Sequence, residues 1–162
     1  MIQTKSAPRR DLSFHCTGCL RAELDRIEAA ERSGALAHTG NWSPGENLDH
    51  VARVWEYSLD GFPDGTKSNF VVRLMAGLMR KSFTSGKTLP AGFNYGKMGA
   101  YMAPRPGCTV QEGLARLRRV IDRLDRGEQM THASPAFGTL SHDEWMRLHL
   151  GHAQLHLGFI AY

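Results

Sequence analysis

Three segments of the chain begin with the same helix-start pattern, a Ser or Thr followed three residues later by a Glu. The pairs are Ser43 with Glu46, Thr109 with Glu112, and Ser141 with Glu144. In such a capping box, the hydroxyl and the carboxylate bind backbone N–H groups that the first helical turn leaves without partners. Pro44 adds a residue that is favoured at the first helical position. The pattern therefore predicts helices that begin at these three places.

After two of these starts, apolar residues, with one histidine among them, recur at alternating intervals of four and three residues. They are Val110, Leu114, Leu117, Ile121 and Leu124 in one segment, and Trp145, Leu148, His152, Leu155 and Phe159 in the other. This spacing is typical of helices packed in a bundle. Two further spans, residues 16–32 and 43–59, read as helices, and the last helix is predicted to run to the chain end. Because no run of alternating β-branched residues indicates a sheet, the sequence predicts an all-α four-helix bundle.

A long stretch separates the second and third of these helices. Residues 66–83 are amphipathic and predict an extra helix, whereas residues 86–107 are rich in Gly and Pro and show no clear periodicity. An irregular segment of that length in a compact domain is usually a lid or a binding loop. The chain is interpreted as a single domain over residues 1–162, with residues 1–11 as a flexible or loosely packed N-terminus.

Composition argues against several classes of partner. The net charge is +4, and the arginines between residues 116 and 126 alternate with aspartates, which indicates a solvated helix face with local ion pairs rather than a nucleic-acid surface. No stretch approaches the roughly 18 apolar residues of a membrane helix. The polar N-terminus lacks the apolar segment of a secretory signal. We therefore expect a cytoplasmic protein that binds neither nucleic acid nor membranes.

The chain has three cysteines, of which Cys16 and Cys19 have the spacing of a redox motif. That motif normally opens a helix that follows a strand, and no strand is predicted here. Both residues fall on the same side of the first helix as Leu20 and Leu24. The sequence favours buried thiols that pack as small apolar groups. A redox pair is the alternative.

The last helix carries three histidines on one face, His149, His152 and His156. His152 occupies a core position between Leu148 and Leu155, where an imidazole costs free energy unless its nitrogens find partners. Two histidines four residues apart on a helix can bind one metal ion, because their side chains start about 5–6 Å apart. We therefore predict that His152 and His156 are metal ligands.

His50, on the apolar second helix, is the predicted third ligand. Three histidines leave a coordination position open, as in catalytic zinc sites, and imidazole suits zinc, nickel, copper or iron. His149 is either a proton shuttle beside the metal or a helix-surface residue. The alternative for the whole set is core histidines that bond to the backbone or to carboxylates, because eight histidines in a chain of 162 residues make a chance pair common.

Two runs of sequence resemble the DinB-like (DinB/YfiT-like) superfamily of metal-binding helical proteins. Residues 40–52, GNWSPGENLDHVA, resemble the start of its second helix. Residues 137–145, FGTLSHDEW, and 148–159, LHLGHAQLHLGF, resemble the last helix of an uncharacterised bacterial branch. The resemblance implies a four-helix bundle in up-down-down-up order with a long crossover, often as a homodimer. It also implies a divalent metal, commonly zinc or nickel, held by His50, His152 and His156.

The resemblance also bears on activity. It implies relatives that are metal-dependent thiol S-transferases, which use low-molecular-weight thiols such as bacillithiol or mycothiol, and some that are hydrolases or isomerases. The leading hypothesis is a metal-dependent enzyme that acts on a small molecule, of S-transferase or hydrolase type. The alternative is a non-catalytic metal- or ligand-binding stress-response protein. A fourth protein ligand would favour the alternative, and an open position that faces a pocket would favour catalysis.

Overall fold

The structure is a computed structural model that describes residues 2–64, 66, 70–92 and 97–162. Within these ranges the chain is mostly helical, as the sequence predicted, and forms six helices and one small sheet. The helices are α1 (Thr17–Ser33), α2 (Pro44–Asp60), α3 (Phe70–Phe83), α4 (Lys97–Met102), α5 (Val110–Asp125) and α6 (His142–Leu157). Across the described ranges, no helix combines the length and the apolar character that crossing a membrane requires.

All three predicted capping boxes are present, at the starts of α2, α5 and α6. In the first, the Ser43 N–H donates to Glu46 Oε2 at 2.8 Å, and the Glu46 N–H donates to Ser43 Oγ at 3.3 Å. Helix α1 begins differently, because its N-cap is Cys16, whose thiol accepts the Cys19 N–H. Cys16 is exposed and Cys19 is only partly buried, so the prediction that both thiols pack in the core is wrong for Cys16.

Helix α2 lies at the centre of the fold and packs against both α5 and α6, while α1 packs against α5 and α3 against α6. The apolar sides of α1, α2, α5 and α6 form one continuous core, which also takes in Phe83 at the end of α3 and residues after α5. The largest fully buried side chains of this core are Trp55, Trp145, Leu20, Leu24, Ile27, Leu48, Leu114, Leu117, Ile121, Met130, Leu157 and Ile160. The predicted seams of α5 and α6 therefore point inward, with Val110, Leu124 and His152 only partly buried.

Two glycines allow α2 and α5 to approach closely. A Cβ at Gly45 would lie 2.1 Å from the Cys108 carbonyl oxygen, and one at Gly113 would lie 2.6 Å from Leu48 Cβ. Real Cβ atoms do not approach other heavy atoms that closely, so any larger residue would push the helices apart. The contact between α2 and α5 therefore depends on hydrogen being the only substituent at these positions.

Three arginines of α5, Arg116, Arg118 and Arg123, pair with acidic residues of other helices, and Arg123 also pairs with Glu128 just after α5. Arg116 binds Asp49 of α2 at 2.5 Å and also pairs with Glu56. Arg118 binds Asp25 of α1 at 2.8 Å. The prediction of local pairing along a solvated face is corrected here, because α5 lies between α1 and α2 and its charged side chains reach both.

The C-terminus ends in a strand and not in helix. Helix α6 ends at Leu157, and β2 (Ile160–Ala161) pairs antiparallel with β1 (Ala37–His38), with Ala37 opposite Ala161. The predictions of a last helix to the chain end and of a fold without sheet are corrected at this point. Strands of two residues carry no periodic signal, which explains why the sequence did not indicate them.

The segment before α1 is held in place at Arg10. Its guanidinium donates to the Ile160 carbonyl at 2.6 Å and to the carboxylate of Glu23, which is buried. The Arg10 N–H also donates to the Gly158 carbonyl at 2.8 Å. At this residue the predicted loose N-terminus is instead packed against α1 and the C-terminal strand.

The stretch between α2 and α5 differs from its prediction in two ways. Helix α3 is described from Phe70, whereas Thr66 is not helical and residues 67–69 lie outside the described ranges. Many of its apolar side chains are exposed, including Phe70 and Leu78 at 79% and 75%, so its amphipathic pattern does not correspond to a buried side in this chain. The predicted irregular segment 86–107 contains α4, and its residues 93–96 lie outside the described ranges.

Gly45→Ala is predicted to lower the free energy of unfolding by about 2–3 kcal/mol, because its Cβ would meet backbone atoms that cannot rotate away. Gly77→Ala is the matched control. Gly77 lies in exposed helix α3, and no atom lies within 4 Å of the place that a Cβ would occupy, so alanine should raise the stability by up to about 1 kcal/mol. Urea denaturation of the three proteins measures both changes. Equal effects at the two positions would contradict the close contact between α2 and α5.

Candidate metal centre

The three predicted ligands come from two helices that pack against each other. His50 lies on α2, and His152 and His156 lie one turn apart on α6. One nitrogen of each ring lies within 4.8 Å of one nitrogen of each of the other two. The Nε2 atoms of His50 and His152 are 3.0 Å apart, and the centroids of the His152 and His156 rings are 4.5 Å apart. The structure therefore brings together the side chains that the sequence singled out.

A hydrogen bond orients the ring of His50. Its Nδ1 lies 2.6 Å from the carbonyl oxygen of Met102, at the end of α4. Because a carbonyl oxygen only accepts, Nδ1 carries the proton and Nε2 keeps its lone pair, which faces His152. Metal-binding histidines are commonly held in this way, with the second nitrogen bonded to a carbonyl or a carboxylate.

All three imidazoles are neutral at neutral pH. Burial lowers the pKa of His50 to about 4, and burial also holds the pKa values of His152 and His156 well below the ordinary range. The ring of His50 also disfavours a charge on both α6 rings, and the ring of His152 disfavours a charge on His156. Neutral imidazole is the form that binds metal ions, so the environment selects the state that a metal site needs.

The arrangement fits a transition metal. Two nitrogens bound to one zinc ion at about 2.0–2.1 Å lie about 3.3 Å apart in a tetrahedral site, close to the 3.0 Å between His50 and His152. Among the described residues, no fourth His, Cys, Asp or Glu joins this group. Neutral nitrogen donors suit zinc, nickel, copper or iron rather than magnesium or calcium. That a metal binds here stays a prediction.

The histidines form part of the wall of a cavity of about 380 Å³. Trp42 covers one side of the cluster, with its ring stacked on His156 at 5.4 Å and tilted against His50 at 4.7 Å. The remaining wall is mainly apolar and includes Val54, Phe62, Phe83, Leu89, Phe137 and Leu148. No Asp, Glu, Lys or Arg contributes to the wall in the part of the chain that the structure describes. The centre thus opens into an uncharged cavity.

His149 lies beside this cluster but in a different environment. Its ring is stacked between Trp55 and Trp145, with centroids 5.0 and 4.9 Å away. The Ser58 hydroxyl lies 2.6 Å from the Trp55 carbonyl and donates to it, so it accepts from His149 Nε2 at 3.0 Å. The residue is buried, which removes the helix-surface alternative, and burial lowers its pKa to about 3. A ring that resists protonation at neutral pH is poorly suited to shuttle protons.

Residues 6–162 match the model of a protein family that is described as "Protein of unknown function (DUF1569)". The chain belongs to the DUF1569 family. The match takes in every described helix and both strands, so the three candidate ligands and the cavity fall inside the region that defines the family. No curated protein and no solved structure matches the chain.

In this DUF1569 chain, segment 86–107 helps to build the site from both of its described ends. Near its start, the Lys87 carbonyl oxygen would lie 2.3 Å from a Cβ at Gly151, and the Leu89 N–H donates to the Gly151 carbonyl at 3.2 Å. Gly151 directly precedes a predicted ligand. Near its end, Met102 accepts the bond from His50. The segment was predicted as a lid or binding loop, and its described parts contact both helices that carry the ligands.

Asp49 ties the residue next to His50 to two other parts of the fold. Its buried carboxylate accepts the Arg105 N–H at 2.8 Å and pairs with Arg53 and Arg116. Burial tends to raise the pKa of Asp49, but these hydrogen bonds outweigh it and the pKa lies below its usual value. The ionised carboxylate therefore joins α2, α5 and the segment after α4 directly beside His50.

Several groups that complete the site could not be predicted from the sequence pattern alone. Trp42 belongs to the run that resembles the DinB-like superfamily, and its position directly before the α2 N-cap is the signal that could have indicated its role. The Met102 carbonyl and the Ser58 hydroxyl left no signal, because a backbone oxygen has no residue type and serines are common on helices. These contacts depend on which elements meet in space.

His149→Gln is predicted to change how stability depends on pH. In the unfolded chain His149 has a pKa of about 6.5, and in the folded chain its pKa is about 3. The neutral ring therefore contributes stability that is fully present above about pH 6.5 and is lost as the pH falls toward 3, at about 1.4 kcal/mol per pH unit. The glutamine variant lacks this loss.

Denaturant titrations of the metal-free forms measure the effect. The unfolding free energy of the wild type minus that of the variant should decrease by about 2 kcal/mol between about pH 6.5 and about pH 5. The two proteins are otherwise identical, so contributions that do not depend on residue 149 cancel in this difference. Parallel pH profiles would show that His149 is not held neutral by the fold.

Proposed function

We propose that this protein is a metal-dependent enzyme that acts on a small molecule, with one divalent transition metal bound by His50, His152 and His156. One observation carries the proposal: three neutral imidazoles from two helices converge at the wall of an apolar cavity. The lone pair of the buried His50 Nε2 faces His152 Nε2 at 3.0 Å, and the His156 ring lies next to both, so the three nitrogens need a shared partner. A metal ion would satisfy all three at once.

The open side of the centre supports an enzyme more than a structural metal site. Structural zinc sites have four protein ligands, whereas catalytic sites have three and an open position. The described residues offer three ligands and a cavity next to them. The alternative of a non-catalytic metal- or ligand-binding stress-response protein would be favoured by a fourth ligand from the chain.

The chain's own residues have separable roles in this proposal. His50, oriented by the Met102 carbonyl, and the two α6 histidines hold the ion, and a bound divalent metal supplies Lewis acidity that lowers the pKa of a coordinated water or thiol. Trp42 shields one side of the centre from water. His149 stays neutral and positions the two tryptophans on either side of it.

The wall of the cavity favours an uncharged, largely apolar substrate group. An unpaired charge in this cavity would lose its hydration without finding an opposite charge among the described wall residues. Aromatic side chains such as Phe62 and Phe137 offer faces for an aromatic or aliphatic group. This agrees with an S-transferase whose electrophile is apolar or with a hydrolase of an apolar ester or amide.

The resemblance to the DinB-like superfamily agrees with this function, and we propose membership on its two sequence runs. On that basis the four long helices α1, α2, α5 and α6 would form the up-down-down-up bundle, with α3 and α4 in the long crossover. The resemblance also suggests a zinc or nickel ion, a low-molecular-weight thiol as co-substrate and a homodimer. Size-exclusion chromatography with light scattering would test the dimer.

Metal content tests the ligand assignment. The purified protein should carry about one transition-metal ion per chain, and the double variant His152→Ala, His156→Ala should carry almost none, because one imidazole cannot hold the ion. His142→Ala on the same helix is the matched control and should keep the metal, since His142 lies outside the three-ligand group. Elemental analysis after dialysis measures all three, and full metal content in the double variant would refute the assignment.

Ligand binding tests the cavity. In cobalt-loaded protein, 4-phenylimidazole should bind at least about tenfold more tightly than imidazole, because its phenyl ring would bury apolar area in the cavity. Changes in the visible spectrum of the cobalt ion report binding. Ala136→Phe, which adds a side chain to the wall, should abolish the preference while imidazole still binds. Equal affinity for both compounds in the wild type would mean that the metal does not face the cavity.

A further inference from the structure

The first turn of α1 carries two thiols that the proposed metal centre does not use. Cys16 is the N-cap and is exposed, and Cys19 is partly buried one turn later. Their Sγ atoms lie 3.2 Å apart, so each thiol can donate to the other. Cys108 is buried elsewhere, near Arg105 and Thr109. The pair is therefore a distinct feature of the surface.

The geometry of the pair is close to that of a disulfide. Bond formation needs the two sulfurs to approach from 3.2 Å to about 2.05 Å. Cys16 lies before the first helical residue, with extended backbone, so its side chain can rotate without disturbing the helix. A disulfide places its Cβ atoms about 3.5–4.5 Å apart, whereas residues three apart on a helix have theirs at about 5–6 Å, so closure also needs a small shift of the extended backbone at Cys16.

The surroundings stabilise sulfur in its anionic form. The Cys16 thiol accepts the Cys19 N–H at 3.4 Å, at the positive end of a helix of 17 residues. Hydrogen bonds from the His15 backbone and from the Cys16 thiol lower the pKa of Cys19. Thiolates at helix N-termini that solvent can reach are the reactive ones in proteins.

We propose that Cys16 and Cys19 form a thiol–disulfide exchange site on the surface of the protein, whose substrate is the disulfide of a low-molecular-weight thiol, RSSR. The proposal does not rest on the metal centre. The sequence favoured buried thiols that pack as apolar groups, with a redox pair as the alternative. The exposure of Cys16 and the short distance between the two sulfurs favour the redox pair.

The reaction has two exchange steps. The thiolate of one cysteine attacks RSSR, forms a mixed disulfide with one half and releases the other half as RS⁻, which takes up the proton lost by the cysteine. The second cysteine, as thiolate, then attacks the protein sulfur of the mixed disulfide, forms the Cys16–Cys19 bond and releases the second RSH. The two cysteines lose two electrons and two protons, and RSSR gains both to become two RSH.

Glutathione disulfide is the probe for a direct test. The reduced, metal-loaded full chain is incubated with graded ratios of glutathione disulfide to glutathione, quenched with acid and treated with N-ethylmaleimide. Intact mass and peptide mapping should show the loss of two hydrogens, a Cys16–Cys19 crosslink and an alkylated Cys108. Returning the sample to excess glutathione should restore two free thiols.

Single variants distinguish ring closure from simple modification. Cys16→Ser and Cys19→Ser should each stop at a mixed disulfide with glutathione on the remaining cysteine, with complete loss of the crosslink. Cys108→Ser is the matched control and should behave as the wild type. Serine is a favoured N-cap residue, so Cys16→Ser keeps the helix start and carries the test even if Cys19→Ser does not fold.

Two results would overturn the proposal. One is a wild type that accumulates glutathione adducts on Cys16 or Cys19 without forming the crosslink. The other is a wild type that keeps both thiols free in an excess of glutathione disulfide without added glutathione. Either result would mean that the pair is a helix cap and packing feature only.

Discussion

The close contact between α2 and α5 determines where His50 lies, and the candidate centre depends on it. Gly45 and Gly113 let the helix backbones approach, and the buried carboxylate of Asp49 pairs with Arg116 across the same contact. Successive residues on a helix point about 100° apart, so Asp49 can face α5 while His50 faces α6. One helix is thereby fixed on one side by packing and charge, and presents a ligand on the other.

Two kinds of buried histidine occur side by side in this fold, and their hydrogen bonds separate them. His149 gives its proton to Ser58 and fills the space between two indoles, so it is a satisfied core residue apart from one nitrogen. In His50 the bonded nitrogen is the one that points away from the cluster, which leaves a lone pair directed at His152. His149 is therefore a core histidine with a hydrogen-bond partner, whereas the geometry of His50 favours a role as a metal ligand.

The sequence predicted well what local chemistry determines. The starts of α2, α5 and α6 follow from capping boxes that act within four residues, and the helical spacing placed His152 and His156 on one inward side. Prediction from the sequence failed for contacts between segments that are distant along the chain. No periodic pattern relates the parts of the chain that meet in three places. These are the strand at Ile160–Ala161, the ion pairs from α5 to α1 and α2, and the hydrogen bond from His50 to Met102. Apolar patterning and the resemblance predict that His50 lies near His152 and His156, and the structure adds the distances between them.

The histidine cluster and the cysteine pair differ in how many candidate ligand atoms they bring together. A transition metal needs three or four protein ligands for tight binding, and in the described part of the chain only the histidine cluster brings three candidate atoms together. The cysteine pair offers two sulfurs and no third donor in that group, so a soft metal would bind there weakly and exchange readily. Two close sulfurs without a third ligand are suited to forming a bond with each other. The imidazoles, which cannot form such a bond, are suited to sharing an ion.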